Sequence, residues 1–138
     1  MNGPVILDAG PLVAFLSASD SYHPWAVAQW RALTPPMITC DAVLAEAVFL
    51  LRREERPVLG VLELVKRGIV RLDFVLGDEL DAVQTLLTRY EDVRISLADA
   101  CLVRMSETQA AARVFTVDRH FRLYRRHRRQ IIPLVAPW

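Results

Sequence analysis

The chain has 138 residues, of which 53% are hydrophobic and 24% charged. That is enough for one core and too little for two, so a single domain over residues 1–138 is expected, and wholesale disorder is excluded. No apolar run approaches the roughly 18–20 residues of a membrane helix, and Met1-Asn2-Gly3-Pro4-Val5-Ile6-Leu7-Asp8 has no basic region ahead of its apolar stretch. A cytoplasmic protein without a membrane partner is expected. The net charge of +1 conceals a split: residues 1–112 carry 10 basic and 15 acidic side chains, residues 113–138 carry 7 and 1.

Strand-like and helix-like segments alternate along the chain. Pro4–Leu7 is short, apolar and β-branched, a strand. Gly10-Pro11 opens a helix to about Ser17, with Pro at an early position where its missing N–H costs little. A second helix runs from Pro24 to Leu33, with Trp25 and Trp30 available for packing. Met37–Thr39 is a second strand, and Asp41 can cap a helix from Ala42 to about Arg53. Arg56-Pro57 begins another helix ending near Gly68, and Ile69–Leu72 is a third strand. Gly77–Tyr90 has Leu80, Val83, Leu86 and Leu87 at helical spacing. A helix from Ser96 to about Ala112, a strand at Arg113–Val117 and a fifth strand at Gln130–Leu134 complete the chain. Strands separated by helices imply parallel crossovers and an α/β sheet covered on both faces. Cys40 and Cys101 form no CxxC pair and read as reduced core residues.

Four acids stand out by position. Asp8 directly follows Val5-Ile6-Leu7, and Asp118 directly follows Val114-Phe115-Thr116-Val117, so both lie at the carboxyl ends of strands. In an open parallel sheet that edge is where ligands bind. Asp is also common in any strand-to-helix turn, so neither is decisive alone. Glu46 is the only charge in Ala42–Leu51, a stretch apolar on every side and therefore expected to be buried. A buried unpaired carboxylate costs on the order of several kcal/mol unless a cation meets it; the plainer alternative is that Glu46 reaches a surface window or pairs with an arginine. Asp99 lies in Ser96-Leu97-Ala98-Asp99, which fits a helix-capping box; that alone would explain it. If the first and fourth strands are neighbours, Asp8 and Asp118 sit side by side and repel unless protonated or bridged. A divalent cation resolves the conflict, and all-oxygen ligation suits Mg²⁺ or Mn²⁺. Such ions polarise phosphoryl oxygens and acidify bound water, so the four acids are a phosphodiesterase constellation.

At these residues the sequence resembles the PIN-domain family, and within it the VapC-like toxin ribonucleases of bacterial toxin–antitoxin pairs. Val5–Leu12 resembles the first motif of that family, Asp41–Glu46 the second, Ser96–Ala100 the third and Thr116–Phe121 the fourth. The resemblance implies a three-layer α/β/α fold with a five-stranded parallel sheet in the order 3-2-1-4-5. It implies a metal-dependent endoribonuclease in which Asp8, Glu46, Asp99 and Asp118 are both catalytic and metal-binding, with Mg²⁺ or Mn²⁺ as cofactor. It further implies an RNA substrate cut to a 5′-phosphate and a 3′-hydroxyl. Many family members of this type are restrained by a cognate antitoxin protein and form homodimers; neither property is visible in the residues themselves.

The basic stretch comprises Arg119, His120, Arg122, Arg125, Arg126, His127, Arg128 and Arg129. It suits sequence-tolerant contact with a phosphate backbone, or equally a solvated segment balancing an acidic body. Arg119, His120 and Arg122 adjoin Asp118 and are the favoured substrate contacts. Phe121, Tyr124, His23 and the two tryptophans read as packing residues. A receiver domain would need a Lys near the last strand, and the only Lys is Lys66. A haloacid-type phosphatase would need a second Asp where Gly10 stands. No G-x-S-x-G elbow, P-loop or dinucleotide fingerprint is present. The remaining alternative is a catalytically silent PIN-like scaffold that binds RNA or protein.

Overall fold

The computed structural model describes residues 3–138. In chain order the elements are β1 (Val5–Leu7), α1 (Ala9–Leu16), α2 (His23–Ala32), β2 (Met37–Thr39), α3 (Asp41–Arg53), α4 (Leu59–Lys66), β3 (Val70–Leu72), α5 (Leu80–Arg89), α6 (Leu97–Thr108), β4 (Arg113–Phe115), β5 (Arg125–Arg126), β6 (Gln130–Ile131) and β7 (Leu134–Val135). Short 3₁₀ turns occupy Leu76–Asp78, Glu91–Val93 and Arg119–Arg122. The main sheet is parallel throughout, in the order β3-β2-β1-β4-β7, while β5 and β6 form a separate antiparallel hairpin.

Central β1 has every residue buried, as an apolar strand covered on both faces requires. Helices α1, α2 and α4 form one packed group and α5 with α6 another, with α3 touching both. Trp25 meets Phe115 edge-on at 5.5 Å between centroids, and Trp30 stacks on Phe15 at 4.4 Å, so both tryptophans pack the α2 side of the sheet. His23 Nδ1 lies 2.6 Å from the Ala14 carbonyl and ties α2 to α1. Helix α6 is buried along most of its length. No described helix is long and apolar enough to cross a membrane.

Several expectations shift. The stretch 130–134 is not one strand. Gln130–Ile131 turns back on Arg125–Arg126, leaving Ile131 69% exposed, and only Leu134–Val135 joins β4. Pro133 marks the break: it has no N–H to donate, while its carbonyl accepts from Val114 N at 2.8 Å. The hairpin turn places His127 and Arg128 at φ 49° and 70°. Helix α3 starts at Asp41 with Cys40 as its N-cap, so Asp41 does not cap it. Helix α4 begins two residues after Pro57, and the 77–90 segment divides into a 3₁₀ turn and α5. Strand β4 ends at Phe115, and α6 ends at Thr108.

Cys40 and Cys101 are buried and unbridged. Although distant in sequence they are neighbours, and contact with the Cys101 thiol together with burial pushes the Cys40 thiol above its ordinary range.

Candidate functional site

The parallel pairing of β1 with β4 decides where the first carboxylate goes. Leu7 is in register with Phe115, so the next residues, Asp8 and Thr116, leave the sheet together at its carboxyl edge. Asp8 is 4% exposed. One of its oxygens accepts the Ala9 backbone N–H at 2.7 Å, capping α1, and the other accepts the Thr116 hydroxyl at 2.7 Å. The same Thr116 oxygen accepts the Asp118 backbone N–H at 2.9 Å. A single hydroxyl therefore sets the spacing between the two strand-end acids.

Asp118 caps the 3₁₀ turn that follows. Its Oδ1 accepts the His120 backbone N–H at 2.9 Å and lies 2.8 Å from His120 Nδ1. Asp99 enters from α6. Its N–H donates to the Ser96 hydroxyl at 3.0 Å, the capping expected from the sequence. Its carboxylate is engaged elsewhere: Oδ2 accepts the Tyr124 hydroxyl at 3.0 Å. Capping thus explains Ser96 and leaves the Asp99 carboxylate to the site.

Glu46 differs from its expectation. Helix α3 is apolar all round yet not buried all round: Ala45 is exposed and Phe49 is 62% exposed, so Glu46 stands half-buried at the rim. Even so, all four acids line one cleft of about 370 Å³, together with Gly10, Leu50, Val93, Arg94, Ser96, Val117, His120 and Tyr124. The approach of α1 to the cleft wall is close at Gly10, where a β-carbon would fall 2.5 Å from Val117 Cγ2.

The electrostatics follow from burial without a neutralising partner. Burial raises the Asp8 carboxyl from 3.8 to about 7, and the charges of Asp99 and Asp118 add to the rise against the opposing Thr116 and Ala9 hydrogen bonds. Burial, then the charge of Asp118, raises Asp99 to about 6, opposed by the Tyr124 hydrogen bond. Glu46 is raised by partial burial and then by Asp8 and Asp118. Each of the three is thus raised in part by other acids of the set, as close like charges require.

The donor set is all oxygen, which matches a hard divalent ion. Among the described residues no three His, Cys, Asp or Glu side chains converge closely enough to hold an ion directly. An ion that keeps several of its waters, as Mg²⁺ does, can be shared across such a cleft by fewer direct ligands, so the residues fit a hydrated ion.

Thr116 and Tyr124 were not legible as site residues. Tyr124 is a core side chain by volume, packed edge-on against Phe121 at 5.1 Å, yet its hydroxyl reaches Asp99. The available signal was the polar tip of an aromatic in an apolar segment, which needs a partner when buried.

Of the expected substrate contacts, His120 lines the cleft, whereas the guanidinium carbons of Arg119 and Arg122 lie 5.3 and 5.6 Å from the Trp138 ring. Arg125 Nη1 donates to the carbonyls of Arg122, Leu123 and Tyr124. Arg126 is buried, donating to the Ser106 carbonyl at 3.1 Å and to Gln130 Oε1 at 3.1 Å.

Residues 5–126 match the PIN domain family. Among solved structures, the chain is similar to the Mycobacterium tuberculosis protein VapC20, described as a sarcin–ricin-loop-cleaving toxin. The TM-score is 0.76 and the identity 21%, over 83% of this chain and 90% of that one. At that identity the likeness is one of fold. No curated protein matches the sequence.

Proposed function

The chain belongs to the PIN-domain family, and on that premise we propose that it is a divalent-metal-dependent endoribonuclease, the toxin of a type II toxin–antitoxin pair, working as one domain in the cytoplasm. The observation that carries this reading is the meeting of Asp8, Glu46, Asp99 and Asp118 in one cleft at the carboxyl edge of the sheet. Burying two carboxyls beside further acids works against stability, and no cation pairs with Asp8 or Asp99 among the described residues. A fold that needed only a scaffold would gain from neutral residues there.

In this reading the four acids would hold hydrated Mg²⁺ or Mn²⁺, in part through its waters, and the bound ion would supply charge stabilisation to the phosphodiester and acidify water. The remaining roles belong to the chain. Thr116 and the Ala9 N–H hold Asp8 in one orientation, and Tyr124 does the same for Asp99. Glu46, half-exposed and raised in basicity, orients the attacking water and accepts its proton. His120, beside Asp118, contacts the substrate, and Arg119 and Arg122 extend that contact along the strand. The products carry a 5′-phosphate and a 3′-hydroxyl. A cognate antitoxin and a second copy of the chain are the partners; exposed Phe49, Leu59 and Leu62 on α3 and α4 offer apolar surface for such contacts.

The test is incubation of cellular RNA with purified protein and Mg²⁺ or Mn²⁺, followed by mapping of both new ends. Discrete cuts bearing 5′-phosphates, abolished by a chelator, are expected. RNA left intact with either ion, and no thermal stabilisation by Mn²⁺, would instead support a silent binding scaffold.

A further inference from the structure

We propose that Arg94 is the phosphate-holding residue of the cleft, binding the RNA backbone where it enters among the carboxylates; this rests on the nuclease reading and adds to it a substrate contact outside the basic stretch. The first observation is steric. The 3₁₀ turn Glu91–Val93 ends in Arg94 at φ 54°, ψ 47°, the left-handed region that favours glycine or asparagine at such a terminus. The clash of Cβ with the backbone that this region imposes on a non-glycine residue is tolerated there because the turn is fixed from both sides. Arg94 N donates to the Glu91 carbonyl and Ile95 N to the Tyr90 carbonyl, while the Tyr90 hydroxyl accepts the Arg125 N–H at 2.8 Å. Glu55, His127 and Arg128 share this region, so the conformation does not by itself mark Arg94; what it does is fix where the side chain leaves the turn, at the cleft lining.

The second observation is chemical. A cleft lined by four carboxylates repels a polyanion, so an RNA strand gains from a fixed cation in the lining in addition to the bound ion. Arg94 is the one arginine that lines this cleft; it is exposed, and among the described residues its guanidinium forms no ion pair or hydrogen bond. No arginine of the basic stretch lines the cleft: Arg119 and Arg122 lie over the Trp138 ring, where they can meet the strand only beyond it, Arg125 and Arg126 donate to carbonyls, and Arg128 and Arg129 sit on the hairpin turn. An unengaged guanidinium can take two phosphate oxygens at once, which an ammonium cannot.

Steric and chemical roles predict opposite signs in one variant. Arg94→Gly relieves the left-handed backbone and is expected to raise the melting temperature. It is also expected to weaken RNA binding about tenfold and to lower the salt slope of binding by about 0.7, the value for one phosphate contact on a single strand. Binding is read by anisotropy of a labelled RNA oligonucleotide, single-stranded and as a hairpin, in an Asp8→Asn background that does not cut. In the otherwise unaltered chain the same change should raise KM with kcat little altered, and Arg94→Lys should restore the salt slope but only part of the affinity. Unchanged affinity and salt slope in Arg94→Gly would overturn the assignment. If the unaltered chain binds RNA but never cuts it, the nuclease reading falls and the anisotropy comparison still decides Arg94. If it binds no RNA, both fall.

Discussion

The acidic cleft and the arginine-rich stretch are opposites in how sequence maps to space. The acids are scattered over 110 positions, from Asp8 to Asp118, and meet in one cavity. The arginines are crowded between 119 and 129 and disperse: two over the Trp138 ring, one onto turn carbonyls, one into the core, and Arg128 and Arg129 onto the hairpin turn. Clustering along the chain carried the weaker functional signal. The convergent acids keep an unresolved repulsion, whereas most of the adjacent arginines have found local partners. Unrelieved electrostatic conflict, rather than local charge density, distinguishes the two regions.

The contrast breaks most sharply at Asp8. Asp8→Asn is expected to lower metal-dependent cleavage by at least about a hundredfold, since even outer groups around metal ligands matter that much, while the metal-free fold becomes no less stable. A cleavage assay beside a urea titration decides it; undiminished cleavage would remove Asp8 from the chemistry. The second effect concerns pH. Between the ordinary 3.8 of Asp8 and its value of about 7 in the fold, the folded chain holds a proton that the unfolded chain has released. This contribution to metal-free stability is therefore fully present below pH 4 and is lost as pH rises through 7, on the order of 4 kcal/mol in all. The stability difference between Asp8→Asn and the unaltered chain should be larger at pH 8 than at pH 5, and a difference independent of pH would show that Asp8 titrates normally.

On the basic side, Arg126→Ala should cost about 2 kcal/mol through its lost hydrogen bonds and packed stem, with cleavage per folded molecule retained. Arg128→Ala, on the exposed turn, should change stability by less than about 0.5 kcal/mol. Denaturation midpoints for the pair test whether the stretch is as heterogeneous as its contacts.

Much of the cleft was legible because strand ends are. Val5-Ile6-Leu7 and Val114-Phe115 are apolar runs stopped by polar residues, and parallel pairing brings those stops together. Glu46 was found by an argument that proved incomplete: an all-round apolar helix signals burial only if every face has a partner, and α3 leaves Ala45 and Phe49 exposed. Thr116 and Tyr124 acquire their roles from contacts between segments far apart in the chain, and Arg94 from where the fold sets its turn, which periodicity does not encode. The same holds for the last strand, where Pro133 cut a plausible five-residue run and handed its halves to different sheets.

Gly10 carries a consequence of its own. With 2.5 Å between the position of an added β-carbon and Val117 Cγ2, the first turn of α1 leaves no slack against the loop that ends in Asp118. A methyl group at position 10 would have to be met by the side chain of Val117, whose backbone N stands at an ordinary 3.8 Å, and turning that side chain aside would reshape a wall of the cleft that both residues line.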